Sequence, residues 1–144
     1  MTAILAIIDP ALFQTALFCL RKLEQMTDDP SFLEIWPLVF NGVLVIANRW
    51  IRPHQDHGSK AHWPDILATI GNYPHAEFTL YNLGVRLSYM PGSIMVLWGK
   101  VVQHSVPPCD PDRVCYALWM KSAIHDRVEP PETLWAEVGD IEPL

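Results

Sequence analysis

His54 and Asp56 stand two residues apart in the run Arg52-Pro53-His54-Gln55-Asp56-His57. Side chains at i and i+2 of a strand point the same way, so an imidazole and a carboxylate at this spacing can converge on one metal ion. A third ligand from another strand would complete a 2-His-1-carboxylate triad, the arrangement with open positions that serves non-haem Fe(II) oxygenases. His104, in the apolar run Val101-Val102-Gln103-His104-Ser105-Val106 after a bend at Gly99, is the candidate third ligand. Arg113 follows at the start of a strongly apolar segment. Its planar fork can hold a carboxylate through two parallel charge-assisted hydrogen bonds, the contact a dicarboxylate cosubstrate would need inside a barrel. Each feature has an ordinary alternative. His-x-Asp in a chain with six histidines also describes a solvated turn, and Arg113 also fits a surface ion pair with Asp110 or Asp112.

The elements that must position these residues are legible in outline. Asp9 and Pro10 form a helix start, because a capping carboxylate accepts orphan amide protons and proline has none to offer. Leu12, Phe13, Ala16, Leu17, Leu20 and Leu23 then recur at helical spacing and predict one apolar stripe. Phe32 to Phe40, with Pro37 inside it, fits either a short helix or an extended segment. From residue 42 the pattern changes to short runs rich in Val, Ile, Leu and Tyr, separated by Gly, Pro and Asn, which predicts a β-sandwich or barrel. The candidate strands are Val43 to Ala47, Ile66 to Ile70, Glu77 to Leu80, Val85 to Tyr89, Ile94 to Trp98, Gln103 to Val106 and Val114 to Met120. Pro91-Gly92 and Pro107-Pro108 read as turns between consecutive antiparallel strands, which would set His104 and Arg113 on neighbouring strands. Val128 to Leu144 reads as a peripheral helix or a loose tail.

The chain has 144 residues, half of them apolar and 18% charged, enough for one core and not for two full domains. The expected organisation is a single domain over residues 1–144: a helical cover at 1–41, a β core at 42–121 and a peripheral tail at 122–144. Ten Lys and Arg against 16 Asp and Glu give a net charge of −6, which argues against nucleic-acid binding by bulk charge and leaves a local basic strip open. Cys19, Cys109 and Cys115 form no CxxC pair, which suits a reducing intracellular compartment, nuclear or cytoplasmic. No apolar run reaches the roughly 20 residues of a membrane span.

The segment from Ala47 to Lys121 resembles the fungal branch of the TET/JBP group of Fe(II)- and 2-oxoglutarate-dependent dioxygenases. The resemblance is carried by Asn48-Arg49-Trp50-Ile51-Arg52-Pro53-His54-Gln55-Asp56, Asp65-Ile66-Leu67-Ala68-Thr69-Ile70-Gly71-Asn72-Tyr73, Leu83-Gly84-Val85-Arg86, Pro91-Gly92-Ser93, His104-Ser105-Val106-Pro107 and Asp112-Arg113-Val114-Cys115-Tyr116. It implies a mainly β, double-stranded β-helix fold of the jelly-roll, cupin-like kind, with one or two N-terminal helices. It implies Fe(II) held by His54, Asp56 and His104, 2-oxoglutarate paired with Arg113, and molecular oxygen as co-reactant. By kinship the substrate is the 5-methyl group of methylcytosine or a related methylated base in DNA or RNA.

A flipped base would need basic and aromatic groups at the mouth of the site. Arg49, Trp50, Arg52, His57, Lys60, His62 and Trp63 form the densest such cluster. Arg49, Arg52, His57 and Trp63 are the candidate substrate contacts, against the equal alternative that the tryptophans are core and the arginines solvated. Asn48 is a candidate for a 2-oxoglutarate oxygen or a base edge. His75 and His125 read as surface residues. Two other functions stay open at this point: the same oxygenase chemistry on a small molecule or protein, and a cupin-like metal-binding module without turnover.

Overall fold

A computed structural model describes residues 1–108 and 112–137. Eight strands fill the segment from Gly42 to Trp119: β1 (Gly42–Ala47), β2 (Ile51–His54), β3 (Asp65–Gly71), β4 (Glu77–Leu80), β5 (Val85–Ser88), β6 (Ile94–Leu97), β7 (His104–Val106) and β8 (Arg113–Trp119). They form two four-stranded antiparallel sheets, ordered β1-β8-β3-β6 and β2-β7-β4-β5. Among these strands only β4 and β5 follow one another within a sheet, joined by a 3-10 turn at Tyr81–Leu83 and a left-handed Gly84. Every other connection crosses between sheets, as in a jelly roll closed from two antiparallel layers.

This alternation corrects the reading of the two proline turns. Pro91-Gly92 lies between β5 and β6, and Pro107-Pro108 between β7 and β8, and in both cases the flanking strands belong to different sheets. His104 and Arg113 are therefore not on neighbouring strands. They line one cavity from opposite sheets, because a chain that changes sheet at each turn brings successive strands face to face rather than edge to edge. β2 is the strand the sequence pattern missed. It contains Pro53, which has no amide hydrogen for a ladder and is confined to edge strands or bulges. β2 is an edge strand, and its register slips between Ile51 and His54.

The inner faces of both sheets supply one core: Ile46 from β1, Phe78 and Leu80 from β4, Leu97 from β6, Val106 from β7 and Cys115 from β8, with Tyr73, Ala76 and Tyr89 from the connections. Its polar atoms are satisfied internally. The Tyr73 hydroxyl donates to the Tyr89 carbonyl at 3.0 Å and meets Thr69 Oγ1 at 2.9 Å. The Tyr89 hydroxyl lies 3.3 Å from Cys115 Sγ, and burial pushes both of these acids above their usual pKa.

Residues 1–41 and the described residues from Met120 onward make a second compact unit, built of α1 (Thr2–Ile8), α2 (Pro10–Met26), α3 (Ser31–Glu34) and α4 (Ser122–Val128). Asp9 caps α2, its carboxylate accepting from the Leu12 amide at 2.9 Å, with Pro10 in the first turn. Leu12, Thr15, Ala16 and Cys19 are its buried stripe. Of the ambiguous segment only residues 32–34 are helical, in the one-turn helix α3, whose Phe32 is half exposed, while residues 35–40 form neither helix nor strand. Of the two readings of the C-terminal stretch, the described residues 129–137 fit the irregular one, and the helix α4 precedes them, ending at Val128. His125 on α4 is 1% exposed, so its expected place on the surface is wrong, whereas His75 is exposed. Cys109 lies outside the described residues, and Cys19 and Cys115 are buried free thiols. Among the described residues no helix is long and apolar enough to cross a membrane.

Gly71 closes β3 opposite Arg113 with φ +134°, where a Cβ would collide with the Asp112 carbonyl. Gly84 has φ +64° and open space around it. Gly71→Ala is expected to destabilise the fold by about 2–4 kcal/mol and Gly84→Ala by about 1 kcal/mol. Urea denaturation of the two variants checks the contrast.

Candidate metal centre

The pairing of β2 with β7 sets His54 directly opposite His104. Their ring centroids are 4.4 Å apart. Each ring is fixed in the same way: Nδ1 of His54 lies 2.8 Å from the Arg52 carbonyl, and Nδ1 of His104 lies 2.9 Å from the Val102 carbonyl. A carbonyl only accepts, so Nδ1 carries the hydrogen in both rings and the Nε2 lone pairs point elsewhere. They point at Asp56. His54 Nε2 lies 3.3 Å from Oδ1 and His104 Nε2 3.5 Å from Oδ2.

Asp56 does not reach this place by strand alternation, because β2 ends at His54. Its position is set by a loop clamp instead. The Asp56 amide donates to the Gly99 carbonyl at 2.9 Å, and Gln55 Nε2 donates to the Val101 carbonyl at 2.8 Å. The same two loops are tied again by Lys100 Nζ on the Ser59 carbonyl at 2.7 Å and by the Trp98 indole on the His62 carbonyl at 3.0 Å.

His54, Asp56 and His104 each offer one ligand atom, all within 4.8 Å of one another, and no other such cluster of three occurs among the described residues. Two neutral imidazoles with fixed tautomers and one carboxylate form a donor set suited to a divalent iron ion, with the outer hydrogen bonds already in place. His104 is 4% exposed and stacks on Phe78, ring centroids 5.5 Å apart and 9° from parallel. Burial holds its pKa below the usual histidine value, with His54 adding to the depression while the Val102 carbonyl and Asp56 oppose it. A neutral imidazole is the form that binds metal.

The triad opens on a cavity of about 620 Å³, walled by Ile46, Leu67, Phe78, Val106, Cys115 and Leu118 among others. Arg113 lines the same cavity and is 1% exposed, so it is not a surface residue, and Asp110, one of the partners considered for it, lies outside the described residues. One guanidinium nitrogen donates to the Arg49 carbonyl at 2.6 Å. Asn48, at φ 50°, brackets this arginine through the backbone: its Oδ1 accepts from the Arg113 amide at 2.7 Å, and its own amide donates to the Arg113 carbonyl at 2.8 Å. Arg49, Arg52 and His57 are exposed and line the cavity. Trp50 joins them, 47% exposed with the Arg52 guanidinium 5.1 Å from its ring. Trp63 is 2% exposed, with Lys60 Nζ 5.1 Å from its ring.

Two residues of the site carry no sequence signal that singles them out. Asp65, the first residue of β3, is 6% exposed, and neither carboxylate oxygen meets a hydrogen-bond partner among the described residues. Burial and then the charge of Asp56 push its pKa up to about 7, while the Gly99 amide works in the opposite direction from a geometry short of a full hydrogen bond. Gly99 is the second. A Cβ there would overlap Oδ2 of both Asp56 and Asp65.

A family model described as the oxygenase domain of the 2OGFeDO superfamily, Tet_JBP, matches residues 1–122. Among solved structures, a Cupin 2 conserved barrel domain protein from Salinispora arenicola CNS-205 is similar at 26% identity and a TM-score of 0.39, over 60% of this chain and 66%, just under two thirds, of that one. No curated protein matches.

Gly99→Ala is expected to weaken Mn(II) binding by about 10–100-fold, the usual effect of disturbing an outer contact of a ligand, with the circular dichroism spectrum unchanged; calorimetric titration measures it. For Asp65 the sign follows from a folded-state pKa raised above the unfolded value of about 3.9. Its contribution to stability is full below pH 4 and is lost as pH rises toward 7. In the metal-free protein Asp65→Asn is expected to flatten that decline, read from urea midpoints between pH 4 and pH 8.

Proposed function

The chain belongs to the Tet/JBP family of 2-oxoglutarate- and Fe(II)-dependent oxygenases, and on that premise we propose that it oxidises the 5-methyl group of methylcytosine, or of a related methylated base, in DNA or RNA. Kinship with the fungal branch rests on the motif residues quoted above. The observation that carries the substrate is the rim of the metal cavity, where Arg49, Trp50, Arg52 and His57 gather cationic and aromatic side chains on a chain of net charge −6. Arginines hold phosphates through forked hydrogen bonds, and an exposed indole offers a face for a base to stack on.

His54, Asp56 and His104 would hold the iron. When bound, Fe(II) with 2-oxoglutarate and oxygen supplies oxidation of a C–H bond, with release of succinate and carbon dioxide. The protein's residues bind and orient. The tautomers fixed by the Arg52 and Val102 carbonyls keep both Nε2 lone pairs available. Arg113, hydrogen-bonded to Asn48 and the Arg49 carbonyl, would take the distal carboxylate of 2-oxoglutarate, and Asn48 would serve it by bracketing its backbone. The apolar wall keeps water from the reacting centre. A duplex base must leave the stack to enter, at roughly a few kcal/mol, so the phosphate contacts at the rim would have to offset that step; Trp63, buried and outside the cavity lining, is not among those contacts. Nuclear or cytoplasmic location follows from such a substrate.

Incubation with Fe(II), 2-oxoglutarate, oxygen and 5-methylcytosine DNA or RNA, followed by mass spectrometry of the nucleosides, tests the reading. Hydroxymethylcytosine is expected from the parent and none from His54→Ala or Asp56→Ala. Arg113→Ala is expected to raise the KM for 2-oxoglutarate about tenfold or more, the loss of one charged hydrogen-bond contact. Succinate formed without an oxidised base would redirect the same chemistry to a small molecule or a protein side chain.

A further inference from the structure

We infer that Asp65 is an outer carboxylate of the metal centre: packed with Asp56 against Gly99, its buried charge helps the triad retain a divalent cation. The inference rests on the triad reading and concerns a residue outside it. Asp65 is 94% buried by its 6% exposure, and its two oxygens complete no hydrogen bond among the described residues, the Gly99 amide being a donor that falls short of one. An unpaired carboxylate is costly to bury, and a protein retains one where something offsets the charge. The available ammonium group is spent elsewhere: Lys100, next to Gly99, donates to the Ser59 carbonyl.

The neighbour of Asp65 is instead another anion. Oδ2 of Asp65 and Oδ2 of Asp56 both lie against the Cα of Gly99, close enough that one methyl group there would overlap the two of them. The backbone of Asp65 is fixed beside this turn, since it is paired with Leu97, two residues before Gly99, in the β3–β6 ladder. Two like charges fixed side by side, one of them a metal ligand, repel each other until a cation arrives. The charge count agrees. Before any cosubstrate binds, a divalent ion held by two neutral imidazoles and one carboxylate keeps one uncompensated positive charge, and Asp65 supplies the matching negative one without occupying a coordination position. It acts through Asp56 and the field at the site, so it is a positioning residue. Glycine at 99 is what allows the two carboxylates to approach.

Mn(II) alone is the probe, titrated at pH 8 into the full chain and into Asp65→Asn, Asp65→Ser and His54→Ala, with the unfolding temperature of each metal-free protein recorded alongside. Expected is a rise of about 10–100-fold in the Mn(II) dissociation constant of both Asp65 variants, with the metal-free unfolding temperature of Asp65→Asn at or above that of the parent. A structural residue would move both readouts the same way, whereas a residue that repels Asp56 moves them apart. Parent-like affinity in both Asp65 variants overturns the inference. So does weakened binding accompanied by a lower metal-free unfolding temperature in both. If one of the two is destabilised, the affinity of the variant that keeps the parent's stability decides. His54→Ala separates the two levels. Loss of binding there beside parent-like Asp65 variants overturns this inference alone, and parent-like binding there overturns the triad and this inference with it.

Discussion

The register between β2 and β7 is the constraint on which the site depends. It sets His54 opposite His104, and in each ring Nδ1 takes the carbonyl two residues upstream. One local device used twice thus gives two imidazoles with the same tautomer and converging lone pairs, before any metal is considered. Slipping the register by one residue would turn one ring to the opposite face. The slip between Ile51 and His54 is therefore part of how the strand aims its histidine, as bulges beside active sites commonly do. Phe78, fully buried and stacked flat on His104, carries the same constraint into the core.

The carboxylate is held by a different principle. Beyond His54 the chain leaves the sheet, and its backbone groups need other partners. The turn around Gly99 provides them, taking the Asp56 amide and the Gln55 side chain while Lys100 and Trp98 reach back to Ser59 and His62. The third ligand is consequently coupled to the rigidity of a loop pair, whereas the two histidines are coupled to a ladder. Asp65 belongs to this second system. It enters from a strand of the other sheet, and it meets Asp56 at the glycine that also accepts the Asp56 amide.

What could be read from the sequence divides along physical lines. Side-chain type at short spacing was legible: His-x-Asp and a later histidine are chemistry that does not depend on topology, and they do converge. The strands were legible too, because alternating apolar runs between turn residues are a local signal. Strand β2 was not, since Pro53 masks it, and the geometry of Asp56 was inferred from a strand that stops two residues short of it. Sheet membership was misread at Pro91-Gly92 and Pro107-Pro108 because a turn residue marks a change of direction and says nothing about which layer the chain enters next. His125 was read as surface and Asp65 was given no role for a related reason. A polar letter in a sequence reads as surface, and only the packing around it reveals burial.

Net charge obeys the same distinction between sums and places. A value of −6 describes the whole surface, and it argues against association driven by bulk phosphate neutralisation. A substrate at the cavity meets only the charges within a Debye length, about 8 Å at physiological salt. Within the cavity lining the exposed charges are Arg49 and Arg52, with His57 beside them, and the carboxylates there are Asp56, which serves the metal, and Asp65, which is buried. The rim is thus positive where the chain as a whole is negative. For the nucleic-acid substrate proposed above, such an arrangement would give little affinity at a distance and would place it at the mouth of the site, so that recognition and chemistry would draw on the same few residues.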